Sequence, residues 1–477
     1  MKSNYEKIFL KSALAQEGVM KLSEFFSWLD KRRNTNIFMV EKKPLNLLKN
    51  WHFEKDTGNM VHESGKFFRI EGIDVWTNFG TTQYWMQPII NQPEIGILGF
   101  LVKKINGVMH FLVQSKMEPG NVNMIQISPT VQATRSNFTQ VHGGSRPKYL
   151  EYFMDRNRNN FLRDQLQSEQ GSRFLCKRNR NMIVEVSEEE EIEVYDDFCW
   201  LTLGQLFELL KIDNLVNMDS RTVLSCISFD DDSEEFDYLL RKSKSLSFNE
   251  AVLLSSLRNE DWAVNNFNSI ISWFTYMKTH YELKVSRVPL NQIKGWVNDG
   301  IVIKSEDGRY FSIIGVSVEA SNREVKGWEQ PLISSKEGGM LCFICQKKNG
   351  ILHFLVQGRV EPGNFDCVEM APSLQCTPDN YDPNKPEFFP HFYDFVVNAR
   401  PDQIRYSALQ SEEGGRFYHD QNHSLVIEAD EEQELKLPDN YIWMTIHQMK
   451  EFIRFNNCLN IEARGLLSCL SVTKPDK

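Results

Sequence analysis

The sequence predicts an α+β protein of two tandem mixed-sheet domains, and three observations predict it. The first is an internal repeat. Trp85, His110, Gln114, Glu118, Gln132, Gln167, Arg173, Trp200 and Arg221 return 243 positions later as Trp328, His353, Gln357, Glu361, Gln375, Gln410, Arg416, Trp443 and Arg464. Between 85–137 and 328–380, 24 of 53 positions are identical, where chance at roughly 6% per position gives about three. The second is a hairpin signal in each copy: Asn106-Gly107 and Asn349-Gly350 each sit between a pair of apolar, β-rich runs. The third is helical periodicity at both ends of each copy.

Taken in chain order, each copy starts with a Trp-bearing amphipathic helix, about 20–32 and 265–279, followed by a short helix led by Pro-Leu-Asn at 44–46 and 289–291. The offset there is 245, so a two-residue indel lies before Gly72 and Gly315. The hairpin follows, then further strands such as MIQIS and NMIVEV, and each copy closes on a helix, LTLGQLFELL or MTIHQMKEFI. The acidic stretch FDDDSEEFD at 229–237 is the expected junction, which places the domains at 1–235 and 236–477.

Composition narrows the function classes. With 41% hydrophobic residues in 477, the chain buries a large core. Its longest apolar run, Gly96 to Val102, falls far short of the roughly 20 residues of a membrane span. The N-terminal stretch has a charge inside its apolar segment and makes a poor signal peptide, so a cytoplasmic protein is expected. Nine cysteines without framework spacing fit free thiols, and Cys342-x-x-Cys345 lies in an apolar run with no second pair at zinc spacing. A net charge of −10 argues against a general grip on nucleic acid. There is no Gly-x-Gly-x-x-Gly, Walker lysine or His-Glu-x-x-His motif, and neither a cofactor nor a metal is expected.

The candidate chemistry gathers around the repeated VQ-x-x-x-EPGN. On the strand Met109–Lys116, His110, Leu112, Gln114 and Lys116 share a face, and Glu118 can project the same way after the turn. The plainer reading makes EPGN a turn only, with Gly120 at positive φ and Asn121 capping. Gln132 and Thr134 share a second strand face, which suggests a pocket rimmed by amides, a hydroxyl and a carboxylate. The copies differ in charge. Residues 135–180 hold ten Lys/Arg against four acids, residues 378–423 four against eight, so the first copy is the better match for a polyanion such as a diphosphate. Arg173 recurs, whereas Arg135 becomes Pro378. His142, in VHGGSRPKY, is either an acid/base group or a loop residue.

The long motifs WMQPIINQPEIGILGFLVKKINGVMHFLVQSKMEPGN, QISPTVQATRSNF, QSEQGS, WLTLGQL and NLVNMDSRTVLSC, with VEMAPSLQCTPDNY and SEEGGRFYH in the second copy, resemble the NDP-hexose 2,3-dehydratase family over about residues 20–471. The resemblance implies two Nudix-like domains, a homodimer, and two nucleotide-sugar pockets of which one is catalytic. It also implies a nucleotide-linked 4-keto-6-deoxyhexose, typically dTDP-linked, as substrate, with a downstream 3-ketoreductase as a further partner. The Nudix box is absent from both halves, which disfavours diphosphate hydrolysis.

For such a substrate the expected base or acid is Glu118 or His142. Gln114, Gln132 and Thr134 would orient the hexose or stabilise an enolate. Arg135 and Arg173 would hold the diphosphate, Trp85 would stack on the base, and Asn137 and Gln167 would complete the pocket. Trp328, Gln357, Glu361, Gln375, Thr377 and Arg416 form the equivalent second pocket. The first copy is expected to be the active one. Glu361, His391, Tyr393 and His419 give the second enough acid/base groups to reverse that, and each half could also complete the other's pocket. The alternatives are a Nudix-like hydrolase and a non-catalytic nucleotide-sugar binding protein.

Overall fold

The structure, a computed structural model, describes residues 5–134, 146–155, 160–230, 233–258, 260–321 and 325–474. The expected tandem α+β organisation is present. Each half contributes a mixed seven-stranded sheet centred on its Asn-Gly hairpin. In the first half the strand order is 160–168, 178–186, 96–105, 108–117, 198–202, with 125–128 and 131–133 attached to the two central strands. The pairing of Arg178–Val186 with Gly96–Ile105 is parallel and its neighbours are antiparallel. The second half repeats the pattern around Gly339–Lys348 and Ile351–Val360. The hairpins form because Asn106 and Gly107 take φ of 53° and 74°, and Asn349 and Gly350 53° and 78°, the two positive values that a tight turn of this twist demands.

The other two sheets are exchanged between the halves. The strand Phe38–Lys43 leaves the first half and pairs antiparallel with Phe311–Ala320 of the second, Phe38 opposite Ala320 and Lys43 opposite Gly315. Leu283–Val288 does the reverse, pairing with Arg69–Thr77. Indoles reinforce both crossings: Trp51 Nε1 donates to the Glu329 carbonyl and Trp296 Nε1 to that of Met86, each at 2.8 Å. Leu45, Phe68, Ile90 and Phe174 then share one apolar cluster with Leu290, Phe311, Ile333 and Phe417, so the halves have a common core here.

The Trp-bearing helices fall where expected, whereas the helices expected to close each copy are each followed by another, and Tyr5–Leu14, Ser233–Arg241 and Phe248–Ser256 are additional. Leu22–Thr35 and Phe267–His280 carry Trp28 and Trp273, whose indoles donate to the carbonyls of Asp196 and Asp439, each at 2.9 Å. The closing helices Leu203–Leu209 and Ile446–Ile453 start at capping boxes, Thr202 with Gln205 and Thr445 with Gln448. The Pro-Leu-Asn segments form single 3-10 turns, Leu45–Leu47 and Leu290–Gln292. Helix Met218–Leu224 packs on Ile461–Ser468. Between them Arg221 reaches the Ser411 carbonyl and Arg464 reaches that of Ser168, each crossing to the opposite half. Cys342 and Cys345 are both buried free thiols. Among the described residues no helix is long and apolar enough to cross a membrane.

Candidate active site

The repeated EPGN is the point at which the halves clasp. The Gly120 N–H donates to the Gly414 carbonyl at 2.8 Å and the Gly120 carbonyl accepts from the His419 N–H at 2.8 Å. In the second copy Gly363 donates to Gly171 and accepts from Cys176. The expected positive φ at Gly120 is corrected, since Gly120 is not among the residues at positive φ. Glycine is required for another reason. A Cβ there would lie 1.5 Å from the Phe417 carbonyl oxygen, and one at Gly363 1.7 Å from that of Phe174. Asn121 holds the turn by donating to the carbonyls of Lys116 and Met124.

This clasp places Glu118 at a cavity of about 490 Å³, within the size range of small-molecule sites. Its first-half lining includes Lys116, Glu118, Gln132, Thr134, Lys177, Asn179 and Asp219, and Trp51 and Phe68 from the exchanged sheet. Its other wall is Trp328, Gln330, Glu413, Gly415 and Arg416 of the second half. The cavity therefore belongs to both copies.

Glu118 is buried and held from one side. Gln132 Nε2 donates to Glu118 Oε1 at 2.9 Å, and Asn217 Nδ2 donates to Gln132 Oε1 at 3.2 Å. Asn217 is itself fixed as the N-cap of helix Met218–Leu224, accepting from the Ser220 N–H. Glu118 Oε2 is enclosed and has no hydrogen-bond partner among the described residues. A buried carboxylate oxygen left in this way is costly unless a ligand or a proton meets it. Asp219, in the first turn of the same helix, has its carboxyl pushed well up by burial and then by the charges of Glu413, Glu169 and Glu118.

On the second-half wall, Trp328 Nε1 donates to Gln330 Oε1 at 2.8 Å, and Gln330 Nε2 donates to the Gly415 carbonyl at 2.7 Å. The Arg416 guanidinium lies over the Phe68 ring, 4.3 Å from its centroid, and its Nε donates to Gln92. The expectation that Trp328 and Arg416 serve the Glu361 pocket is thus corrected, because the clasp carries them across to Glu118. Arg173 makes the opposite crossing. It lies 4.2 Å over Phe311, and the carboxylates acting on it, Asp420, Glu361 and Glu412, are all in the second half. Trp85 is tied through Gln87 to the Ser172 carbonyl, the mirror image of the Trp328 relay.

Other expected site residues fall elsewhere. Gln167 is buried and donates to the Ile453 carbonyl at 2.6 Å, a bond between the halves. Gln114 is not in the cavity lining, and its counterpart Gln357 donates to the Pro372 carbonyl at 2.8 Å. Thr377 leads into the 3-10 turn Pro378–Asn380. His391 Nε2 meets the Lys436 carbonyl, Tyr393 packs on Phe389, and His419 stacks on Tyr418. His142, Arg135 and Asn137 lie outside the described residues, as do Arg156 and Arg158.

Among the described residues of the expected basic face, Arg163 pairs with Glu6, Arg180 with Asp164, and Lys148 covers the Tyr195 ring. Of that set, Lys177 is the described residue that lines the cavity. In the second copy Glu361 is closed off differently. Arg359 Nε donates to Glu361 Oε1 at 2.9 Å and Gln375 Nε2 donates to the same oxygen at 3.1 Å.

Comparison with known proteins bears on both halves. A family model described as NDP-hexose 2,3-dehydratase matches residues 22–227 and again 267–470. A dTDP-4-dehydro-6-deoxy-alpha-D-glucopyranose 2,3-dehydratase of Saccharopolyspora spinosa is 46% identical over 469 residues, covering 98% of this chain and 95% of the relative. Proteins of the same name from Amycolatopsis orientalis and Streptomyces violaceoruber are 43% and 41% identical, covering 98% and 95% of this chain and 93% and 97% of their own lengths.

Proposed function

The chain belongs to the NDP-hexose 2,3-dehydratase family, and from that premise we propose that it is a hydro-lyase acting on dTDP-4-keto-6-deoxyglucose, with the Glu118 cavity as its reactive centre. The observation that carries the assignment of the cavity is Glu118 itself, a buried carboxyl oriented by Gln132 and Asn217 with one oxygen that no described residue hydrogen-bonds.

The chemistry follows from the substrate. The C4 ketone acidifies the C3 proton, so a carboxylate can remove it to leave an enolate. Expulsion of the C2 hydroxyl as water gives an enol that ketonises to the 3,4-diketo-2,6-dideoxy sugar. Glu118 is the base at C3. Gln132 is a positioning residue, since its amide is used on Glu118 and Asn217. Thr134, in the cavity lining, serves the hexose or the developing negative charge at O4 in this reading. Arg416 and Lys49, both in the cavity lining, supply positive charge for the diphosphate, in the role first expected of Arg173. Trp328 offers the indole face for the nucleobase that was expected of Trp85. His142, Arg135 and Asn137 follow Thr134 closely in sequence and keep their expected roles as candidates.

The Glu361 site is the non-reactive one in this reading, because Glu361 Oε1 accepts from the Arg359 guanidinium as well as from Gln375, an ion pair that opposes its use as a base. The reactive diketone calls for prompt capture, which supports a 3-ketoreductase as partner. A homodimer, a cytoplasmic location and a division of the copies at 235/236 belong to the same reading.

The test is incubation with dTDP-4-keto-6-deoxyglucose in deuterated buffer, with and without a 3-ketoreductase and NADPH, followed by mass spectrometry and NMR. Loss of water with deuterium entering C2 is expected. Release of free nucleotide would support the hydrolase reading, and thermal protection without turnover would support a binding role.

A further inference from the structure

A second carboxyl reaches the Glu118 cavity from the opposite half. Glu413 lies in the loop that the Gly120 clasp fixes, where its carbonyl accepts from the N–H groups of Arg416 and Phe417 at 3.0 and 2.9 Å. Its Oε1 and the Oε1 of Glu118 both border the space left open by Gly415, since a Cβ built there would lie 3.0 Å from the one and 3.5 Å from the other. Burial raises the Glu413 carboxyl and the charge of Glu118 adds to the rise, while Arg416, Lys177 and Lys116 oppose it; the neighbouring carboxyls of Asp219 and Glu169 are raised as well, by burial first.

The duplication supplies an internal control. The equivalent of Glu413 in the first half is Gln170. Gln170 donates its amide to Glu412, so the Glu361 site pairs an amide with a carboxyl. The corresponding pair is Glu413, which lines the Glu118 cavity, and Glu169 behind it, two carboxyls, with that of Glu169 raised by burial and then by the charge of Glu413. Carboxyls crowded in a desolvated site do not all ionise, and a pair sharing one proton holds an acid and a base together. The Glu118 site is thus the one with the extra acid.

We propose that Glu413 is the acid of the elimination, set beside Glu118 across the space at Gly415; this rests on the assignment of Glu118 as the base at C3. Glu118 starts ionised and Glu413 protonated. Glu118 takes the C3 proton, and the C–H electrons form the C3=C4 bond of the enolate. As the C4 carbonyl returns, that electron pair becomes the C2=C3 bond and the C2–O bond breaks. Glu413 delivers its proton to the departing hydroxyl, which leaves as water. Glu118 is now protonated and Glu413 ionised. In ketonisation the C3 hydroxyl gives its proton to Glu413, and C2 takes a proton from Glu118 after that carboxyl has exchanged with solvent, so that solvent hydrogen enters C2. Both carboxyls are back in their starting states, and the balance is one water lost with no oxidant or reductant.

The test compares Glu413→Gln and Glu118→Gln on two substrates, the natural 2-hydroxy sugar and its 2-deoxy-2-fluoro analogue, whose fluoride departs without needing a proton. Glu413→Gln reproduces the residue that the fold already accepts at position 170. Expected is a fall in water loss of about 100-fold or more, with fluoride release and C3 hydrogen–deuterium exchange within a few-fold of the unsubstituted enzyme. Glu118→Gln loses all three. Water loss by Glu413→Gln within threefold of the unsubstituted enzyme overturns the proposal, as does fluoride release that falls in step with water loss.

If the variant does not fold, the unsubstituted enzyme decides. Its water loss declines on the basic side, where Glu413 ionises, while fluoride release does not; coincident pH profiles overturn the proposal. An unsubstituted enzyme that eliminates neither group defeats the dehydratase reading instead, and C3 exchange that survives in Glu118→Gln defeats the assignment of Glu118.

Discussion

The Gly120 N–H donates to the Gly414 carbonyl across 2.8 Å, fastening the turn that carries Glu118 to the loop that carries Glu413 and Arg416. A methyl group has no room in this contact, because the Phe417 carbonyl oxygen lies 1.5 Å from where it would be. Backbone cannot yield as a flexible side chain can. Gly120→Ala is therefore expected to cost about 3 kcal/mol or more and to remove activity with it. Gly65 is the control. It has φ +64° with open space around it, so Gly65→Ala meets only backbone strain, about 1–2 kcal/mol. Denaturant midpoints of the two variants check the contrast, and equal losses would show that the clasp is not a constraint.

Glu118 and Glu361 are equivalent in sequence and differ in surroundings, which predicts opposite consequences for the same substitution. Glu118→Gln is expected to lower turnover about 100-fold or more with little change in stability. Glu361→Gln removes the charge facing Arg359, whose side chain is 25% exposed against 4% for Glu361. Its effect is expected mainly in stability, about 1–3 kcal/mol, with turnover within a few-fold. Steady-state kinetics and unfolding curves on both variants decide between them; equal losses of turnover would mean that both copies react.

How legible the molecule is in its sequence varies with the range of the forces involved. The Asn-Gly hairpins and the capped closing helices are readable because positive φ and N-cap hydrogen bonds are set within a few residues. Glu118 stands out because a carboxylate after a strand end recurs 243 residues later. The crossing of Trp328 and Arg416 to Glu118, and of Arg173 toward Glu361, is not readable. No local pattern states which copy's loop meets which turn, and the exchange of Phe38–Lys43 for Leu283–Val288 is a tertiary choice between two similar edges. Glu413 escapes the motif reading although a signal exists: it is one of the two positions at which QSEQGSRF and QSEEGGRF differ, and the one that changes charge. Gly120 misleads because a glycine required by a neighbouring backbone looks the same in sequence as one required by its own φ.

His353 predicts an acid limb of stability. Its ring is buried, with Nδ1 on the Ile351 carbonyl at 2.9 Å and Nε2 accepting from the Val264 N–H at 3.1 Å, an arrangement that requires the neutral ring. Burial lowers its pKa from 6.5 to about 4. Above pH 6.5 folded and unfolded chains are both neutral at this residue. As the pH falls from 6.5 to about 4 the unfolded chain takes up a proton that the folded chain refuses, so stability is lost, by roughly 3 kcal/mol when complete. His353→Gln, whose amide oxygen can still accept from Val264, is expected to flatten the pH dependence of the unfolding free energy by that amount across this window. Superimposable slopes would exclude His353 as the cause.

The exchanged strands predict that neither half folds alone. A fragment of residues 1–235 lacks Leu283–Val288, the edge partner of Arg69–Thr77, and leaves Phe38–Lys43 with nothing to pair. It also strands Arg221, whose guanidinium is buried against the Ser411 carbonyl, and opens the apolar cluster that Phe68 and Phe174 share with Phe311 and Phe417. Buried donors without acceptors and an unpaired edge are both costly, and the second also invites aggregation. The fragment 236–477 suffers the reciprocal losses, including that of Ser168 as acceptor for Arg464. Each fragment expressed singly is expected to be insoluble or without a cooperative unfolding transition, whereas co-expression returns a 1:1 complex with dehydratase activity, because the Glu118 cavity needs Glu413 and Arg416 from the other fragment. Circular dichroism melts, size exclusion and the water-loss assay on the two fragments test this directly. A cooperative transition in 1–235 alone would mean that the exchanged strands decorate the fold without being needed for it.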